Sequence, residues 1–166
     1  MALADILLPE FDNEIAVTRR VLARAPEAAF AWRPHAKSLT LGGLCTHIAQ
    51  IPRWAVAILA YDGYDQVRNA ADRSAEETTV ADVLSTFDGF AKDARTRLAA
   101  STDGELLAPW SLKRDGAIVM SVPRMAAFKS FAVSHLIHHR GQLSIYLRLQ
   151  DVPLPPIYGP TADEGA

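Results

Sequence analysis

One cysteine, Cys45, stands in a chain of 166 residues, so no internal disulfide can form and a reducing compartment is expected. Neither sign of charge is in excess. Seventeen Lys and Arg against nineteen Asp and Glu leave a formal charge of −2, too weak a field to gather nucleic-acid phosphates, so no nucleic-acid partner is expected. Long hydrophobic runs are lacking too. The stretch from Trp54 to Tyr61 is among the longest and falls far short of the roughly 20 residues that cross a bilayer, so no membrane partner is expected. The opening MALADILLPEFDNE has no basic start and turns acidic quickly, unlike a secretory signal. Cytoplasm is the location that follows by default. Short catalytic signatures are also missing, with no GxSxG, phosphate loop, GxGxxG or zinc-spaced cysteine pair.

The remaining composition is that of a globular protein, 49% hydrophobic and 22% charged. Its length suits one domain, 1–166, with a real core. Thr79-Val80-Ala81-Asp82 resembles a capping box, and Val80, Val83, Leu84, Phe87, Ala91, Ala94 and Leu98 then share a helical stripe, which predicts a helix over roughly 80–100. Leu7, Phe11, Ile15, Thr18 and Leu22 predict an earlier helix ending by Pro26, with Pro9 in its first turn or at a bend. Ser38 or Thr40 can cap another, which carries Leu41, Leu44, Ile48, Ile51, Ala55 and Ile58 and ends near Asp62-Gly63. Pro52 predicts a kink in it.

The last long helix is expected from Pro123 to about Gln150, with Phe128, Phe131, Ala132, His135, His139, Gln142 and Tyr146 on its inward stripe. Before it, Asp115-Gly116 between short apolar runs reads as a two-residue hairpin or a long loop. Residues 25–37 and 63–78 read as connections, and the proline-rich tail as irregular. The fold class is therefore all-α, a bundle of four amphipathic helices with a possible short β-hairpin before the last.

His135 and His139 are four apart on a helix, close enough for both imidazoles to meet one metal ion. Five histidines give such a pair by chance often enough that spacing alone decides nothing. Here the pair falls on an apolar stripe, where an unpartnered imidazole is costly, and His47 lies on a second amphipathic helix. His47 by itself reads as a packed, satisfied histidine. Leu136 stands where an HExxH metalloprotease needs glutamate, which disfavours that class. His138 sits at the edge of the pair's face, Gln142 one turn beyond it, and Gln50 and Trp54 follow His47 on its helix; all four are candidates for a pocket or for contacts around the ligands, set against ordinary packing. Arg140 is expected off that face, in an ion pair with the acidic tail, and Gly141 is expected to permit close helix contact. Cys45, nearly opposite His47, reads as a small core residue, and His35 as solvated.

The strings RVLARAPEAAFAWRPHAKSLTLGGLCTHIAQIPRW and SHLIHHRGQLSIYLRLQDVPLPPIYGPTADE, above all HxxHHRGQL followed by YGP, resemble the DinB-like family, also called YfiT-like. That resemblance implies a four-helix bundle with a long crossover connection, commonly a homodimer. Metal ligands are implied at His47, His135 and His139. It also implies a metal-dependent transferase or isomerase using a low-molecular-weight thiol such as bacillithiol or mycothiol. Three imidazoles leave coordination positions open, as in catalytic zinc sites, so Zn2+ is the first expectation and Ni2+ the next. The leading expectation is an enzyme that activates a low-molecular-weight thiol for transfer to a small electrophilic substrate. A metal-dependent hydrolase activating water and a non-catalytic metal-binding or dimerising protein stay open beside it.

Overall fold

A computed structural model describes residues 1–67 and 76–164; part of the expected connection over 63–78 therefore lies outside the described residues. The described chain is mostly helical and carries one small sheet. Helix α1 spans Leu3–Leu22, and its first free N–H, on Leu3, donates to the Asp103 carboxylate at 2.7 Å. Pro9 lies well inside α1 rather than in its first turn. Helix α2, Leu41–Ala60, begins where predicted: the Thr40 hydroxyl accepts the Gly43 N–H at 2.9 Å, and Pro52 sits inside the helix. Helix α3, Val80–Ala100, starts at the Thr79 cap, which accepts from the Asp82 N–H and donates to the Asp82 carboxylate at 2.6 Å.

A short helix α4, Asp103–Leu107, leads into strands β2, Pro109–Arg114, and β3, Ala117–Pro123. The expected hairpin is present. Asp115 and Gly116 both have positive φ, 49° and 81°, which gives the backbone twist that two-residue hairpin turns need. A third strand, β1, Gly63–Asp65, runs parallel to β2 with Gly63 opposite Ser111. It occupies the start of a stretch read from sequence as a connection. A Cβ at Gly63 would collide with the Ser111 carbonyl oxygen, so this approach requires glycine. Asp65 then holds the hairpin tip, accepting the N–H groups of Asp115 at 3.1 Å and Gly116 at 2.7 Å.

From Arg124 the backbone stays helical to Arg148 in three parts: α5, Arg124–Phe128, a π-helical segment Lys129–Ser134, and α6, His135–Arg148. Arg124 is buried and its guanidinium donates to the carbonyls of Ile58, Tyr61 and Glu105 and to Asp62, joining this rod to the end of α2. The buried stripe of α6 is Leu136, Arg140, Leu143 and Leu147. It lies one residue, about 100°, round from the predicted stripe, so the histidines border the core instead of replacing core residues.

Arg140 is accordingly not off to the side. Only 1% exposed, it pairs with the Glu14 carboxylate of α1 at 2.6 Å. It reaches the tail through the Tyr158 hydroxyl at 2.5 Å, not through a tail acid. Gly141 is exposed, and a Cβ there would meet open space, so it mediates no close helix contact. The tail is irregular, as expected, yet anchored by Arg148 to Asp163 at 2.5 Å and Arg24 to Glu164 at 2.6 Å.

Two apolar clusters form the core, and Ile15 of α1 packs against both. One gathers Leu22, Leu44, Ile48, Phe87 and Leu143; the other gathers Phe11, Ile58, Leu98, Trp110 and Phe128. Each therefore draws on α1, α2, α3 and the last helical rod. These contacts fix how α6 faces α2, and that facing creates the site.

Candidate metal centre

His47 projects from the second turn of α2, and His135 and His139 from the first turns of α6. All three are half-buried. The Nε2 atoms of His135 and His139 are 2.8 Å apart, and those of His47 and His135 are 3.4 Å apart. The ligand atoms of all three lie within 4.8 Å of one another, an arrangement that could hold a metal ion. With bonds of about 2.0–2.1 Å, neighbouring ligand atoms sit about 3.3–3.4 Å apart round a tetrahedral ion and about 2.9 Å apart round an octahedral one. The 3.4 Å separation matches the tetrahedral value, and the 2.8 Å separation lies just under the octahedral one.

Gln142 sets the orientation of one ring. Its Oε1 lies 2.7 Å from Nδ1 of His139, so that nitrogen carries the proton and Nε2 turns a lone pair into the cluster. Gln142, a candidate for contacts around the ligands, makes one through His139. The Phe131 backbone carbonyl, one turn before His135, works against the lowering of that ring's pKa. Sequence reasoning missed it because backbone acceptors leave no mark in residue identity.

The electrostatics keep these rings neutral. Burial first, then His139 and His135, push the His47 pKa down to about 4. His135 is lowered by burial and by His139. His139 is lowered by burial and by His138, against a raising effect from Gln142. Facing nitrogens at these distances need a shared proton or a cation between them, and the surroundings resist the proton. The donor set thus fits a first-row transition ion, for which neutral imidazole is a good ligand.

The flanking candidates separate. His138 is exposed, its ring 4.8 Å from that of His139. Gln50 is half-buried one turn beyond His47, its side chain making no hydrogen bond among the described residues. Trp54 packs on Tyr64 of β1 with ring centroids 4.6 Å apart. Cys45 is fully buried and its thiol is pushed up to about 12 by that burial, so it is an inert core residue as expected. His35 is exposed in its loop.

Fold and site together define a helical protein whose imidazole triad spans two helices and is suited to a metal ion. The chain belongs to the DinB family, whose model matches residues 4–166. Its fold is similar to a DinB-like protein from Bacillus subtilis, with TM-score 0.71, 17% identity and coverage of 91% of this chain and 95% of that one. A DinB-like protein from Bacillus cereus gives TM-score 0.70, 16% identity and coverage of 91% and 95%. A structure assigned to the DinB family from Exiguobacterium sibiricum gives 0.67, 19%, 91% and 94%. None of the curated proteins matches this chain. No helix among the described residues is long and apolar enough to cross a membrane.

Proposed function

We propose that this protein is a metal-dependent enzyme, a single-domain four-helix bundle with a crossover connection, that activates a low-molecular-weight thiol for transfer to a small electrophile. The observation that carries the reading is the convergence of three Nε2 atoms from His47, His135 and His139, with separations as short as 2.8 Å between His135 and His139. Zinc is the metal favoured, then nickel. Three protein ligands leave positions for a further molecule, and the half-buried rings leave a side of the site toward solvent. A divalent ion held there would lower the pKa of a thiol or a water reaching its open positions, making thiolate or hydroxide available near neutral pH.

The residues have distinct parts. Burial keeps His47, His135 and His139 neutral and able to ligate. Gln142 fixes the ring of His139, and the Arg140–Glu14 pair fixes the rotation of α6 against α1. In the transfer, a bond forms between sulfur and the electrophilic carbon, the leaving group departs with its bonding pair, and the thiol proton passes to solvent. Family membership supports a thiol as the nucleophile, a homodimer as the assembly and the cytoplasm as the location.

Untagged protein tests the reading by metal analysis and by turnover of a thiol with a chromogenic aryl halide. Expected are one first-row ion per chain and thiol consumption that stops on chelation, returns with zinc and is lost in His135→Ala. Metal binding without turnover across a broad panel of thiols and electrophiles would make the protein a metal binder rather than an enzyme. Absence of any ion binding below micromolar concentration would remove the site itself.

A further inference from the structure

About two helical turns beyond His47, α2 forms one wall of a cleft of about 200 Å³ lined by Arg53, Trp54, Val56, Ala57, Tyr61 and Tyr64. Its lining is aromatic on one side. Trp54 and Tyr64 pack at 4.6 Å with a 53° tilt, and Tyr61 is 66% exposed. Val56 and Ala57, both half-buried, add an apolar surface.

The charge in this cleft is unusual for the molecule. Arg19, Arg24, Arg95, Arg124, Arg140 and Arg148 each meet a carboxylate. Arg20, Arg33, Arg97 and Arg114 have no such partner among the described residues, but all four are exposed. Arg53 is half-buried and lines the cleft, and among the described residues its side chain has neither a hydrogen bond nor an ion pair. A guanidinium partly withdrawn from water beside aromatic walls is a strong donor lacking an acceptor, and its fork matches a carboxylate.

We propose that this cleft binds a small aromatic carboxylate, its ring packed on the Trp54–Tyr64 pair and its carboxylate on Arg53. Size and lining narrow the class. A volume of about 200 Å³ is six or seven times the ~30 Å³ share of one liquid water, room for a single six-membered ring and its acid group but not for a nucleotide. An apolar lining disfavours fully hydrated anions such as phosphate, which would lose hydration without replacement. Trp54 follows His47 by seven residues, about 10.5 Å along a helix. A bound acid thus lies within one small molecule's length of the triad, although its binding does not depend on the metal.

Benzoate is the probe, titrated into the full 15N-labelled chain after chelation and again after zinc loading. Amide and indole shifts should saturate at Arg53, Trp54 and Tyr64 with a Kd in the millimolar range or below, the same within twofold in both states. Benzyl alcohol, with the ring but no charge, and acetate, with the charge but no ring, should each bind at least tenfold more weakly. Arg53→Met keeps the apolar stem and should weaken benzoate at least tenfold; Trp54→Leu should do likewise while leaving α6 resonances in place. Equal binding of benzoate and benzyl alcohol would overturn the proposal. So would an unchanged Arg53→Met, or benzoate shifts that appear only with zinc and centre on the histidines. Loss of metal binding with retained benzoate binding would sink the enzyme reading alone.

Discussion

Gln142→Ala removes the oxygen that faces Nδ1 of His139 at 2.7 Å and leaves the ring in place. A neutral hydrogen bond stabilises by about 0.5–1.5 kcal/mol net, and about 1.4 kcal/mol is a tenfold change in an equilibrium constant. Outer partners of metal-bound histidines typically govern 10–100-fold in affinity. Gln142 is exposed, so water can take over part of its role and the loss belongs near the low end. Zinc affinity at pH 7.5 is therefore expected to fall about fivefold to tenfold. Gln142→Glu places a charged acceptor in the same position and should match or exceed the parent affinity, because it makes the ring more basic. Competition titration of untagged protein against a chromophoric chelator measures both, with far-UV circular dichroism to verify unchanged helix content. Affinities of parent, Gln142→Ala and Gln142→Glu that agree within twofold, while His139→Ala abolishes binding, would refute the argument that Gln142 orients the ring.

Glu14→Gln should lower stability by about 2–4 kcal/mol, since it leaves the Arg140 charge buried without a counter-charge. At about 2–4 °C per kcal/mol for a chain of this size, a Tm fall of roughly 4–16 °C is expected in thermal melts, and Glu14→Leu with Arg140→Met should recover more than half of it. Acid should act through the triad with a definite sign. His47, held at about 4, and the lowered His135 and His139 take up protons more readily unfolded than folded, so their contribution to metal-free stability is fully present above about pH 6.5 and lost as pH falls toward 4. Urea titrations at pH 7, 5.5 and 4.5 should show this fall, and show less of it in His47→Gln; an equal fall in both proteins would contradict the assignment.

Local signals were legible in the sequence. Thr79 caps its helix as predicted and Thr40, one of two candidates, caps the other, because a hydroxyl before an amphipathic run meets the same unsatisfied N–H groups in almost any context. Asp115-Gly116 makes its turn through the positive φ that these residues tolerate. The triad was visible as a spacing plus a distant third histidine, and the family resemblance joined them. Features that depend on distant pairing were hidden. Strand β1 has three residues and exists through its register with β2. The core face of the last helix was misjudged by one residue. The π-helical segment Lys129–Ser134 breaks the 3.6-residue period on which the predicted stripe relied. Leu136, Arg140, Leu143 and Leu147 do fit a helical face, but an arginine within it reads as solvent-facing until Glu14, 126 residues away, supplies the partner.

That one-residue offset determines what kind of site the histidines make. Had they occupied the core face itself, the rings would be sealed from water, and a bound ion would find no approach except by unfolding. On α6 the buried stripe instead carries Leu136 and Arg140, while His135 and His139 stand at the boundary with exposed Gln142 and His138 at the rim. The Arg140–Glu14 pair, 1% and 7% exposed in its side chains, holds α6 against α1 and so limits the swing of both rings together. His47 approaches from α2, whose Ile48, Ile51 and Ala55 are packed in or against the same core. The imidazoles are thus positioned by rigid helices, not by loops, and little ordering remains to oppose ion binding. Their burial disfavours the protonated rings and leaves lone pairs facing each other, an arrangement that a cation relieves. A structural zinc site closes four protein ligands round its ion. Three histidines at a half-buried boundary would leave the remaining positions of a bound ion to a molecule entering from solvent, which is what the proposed thiol transfer needs.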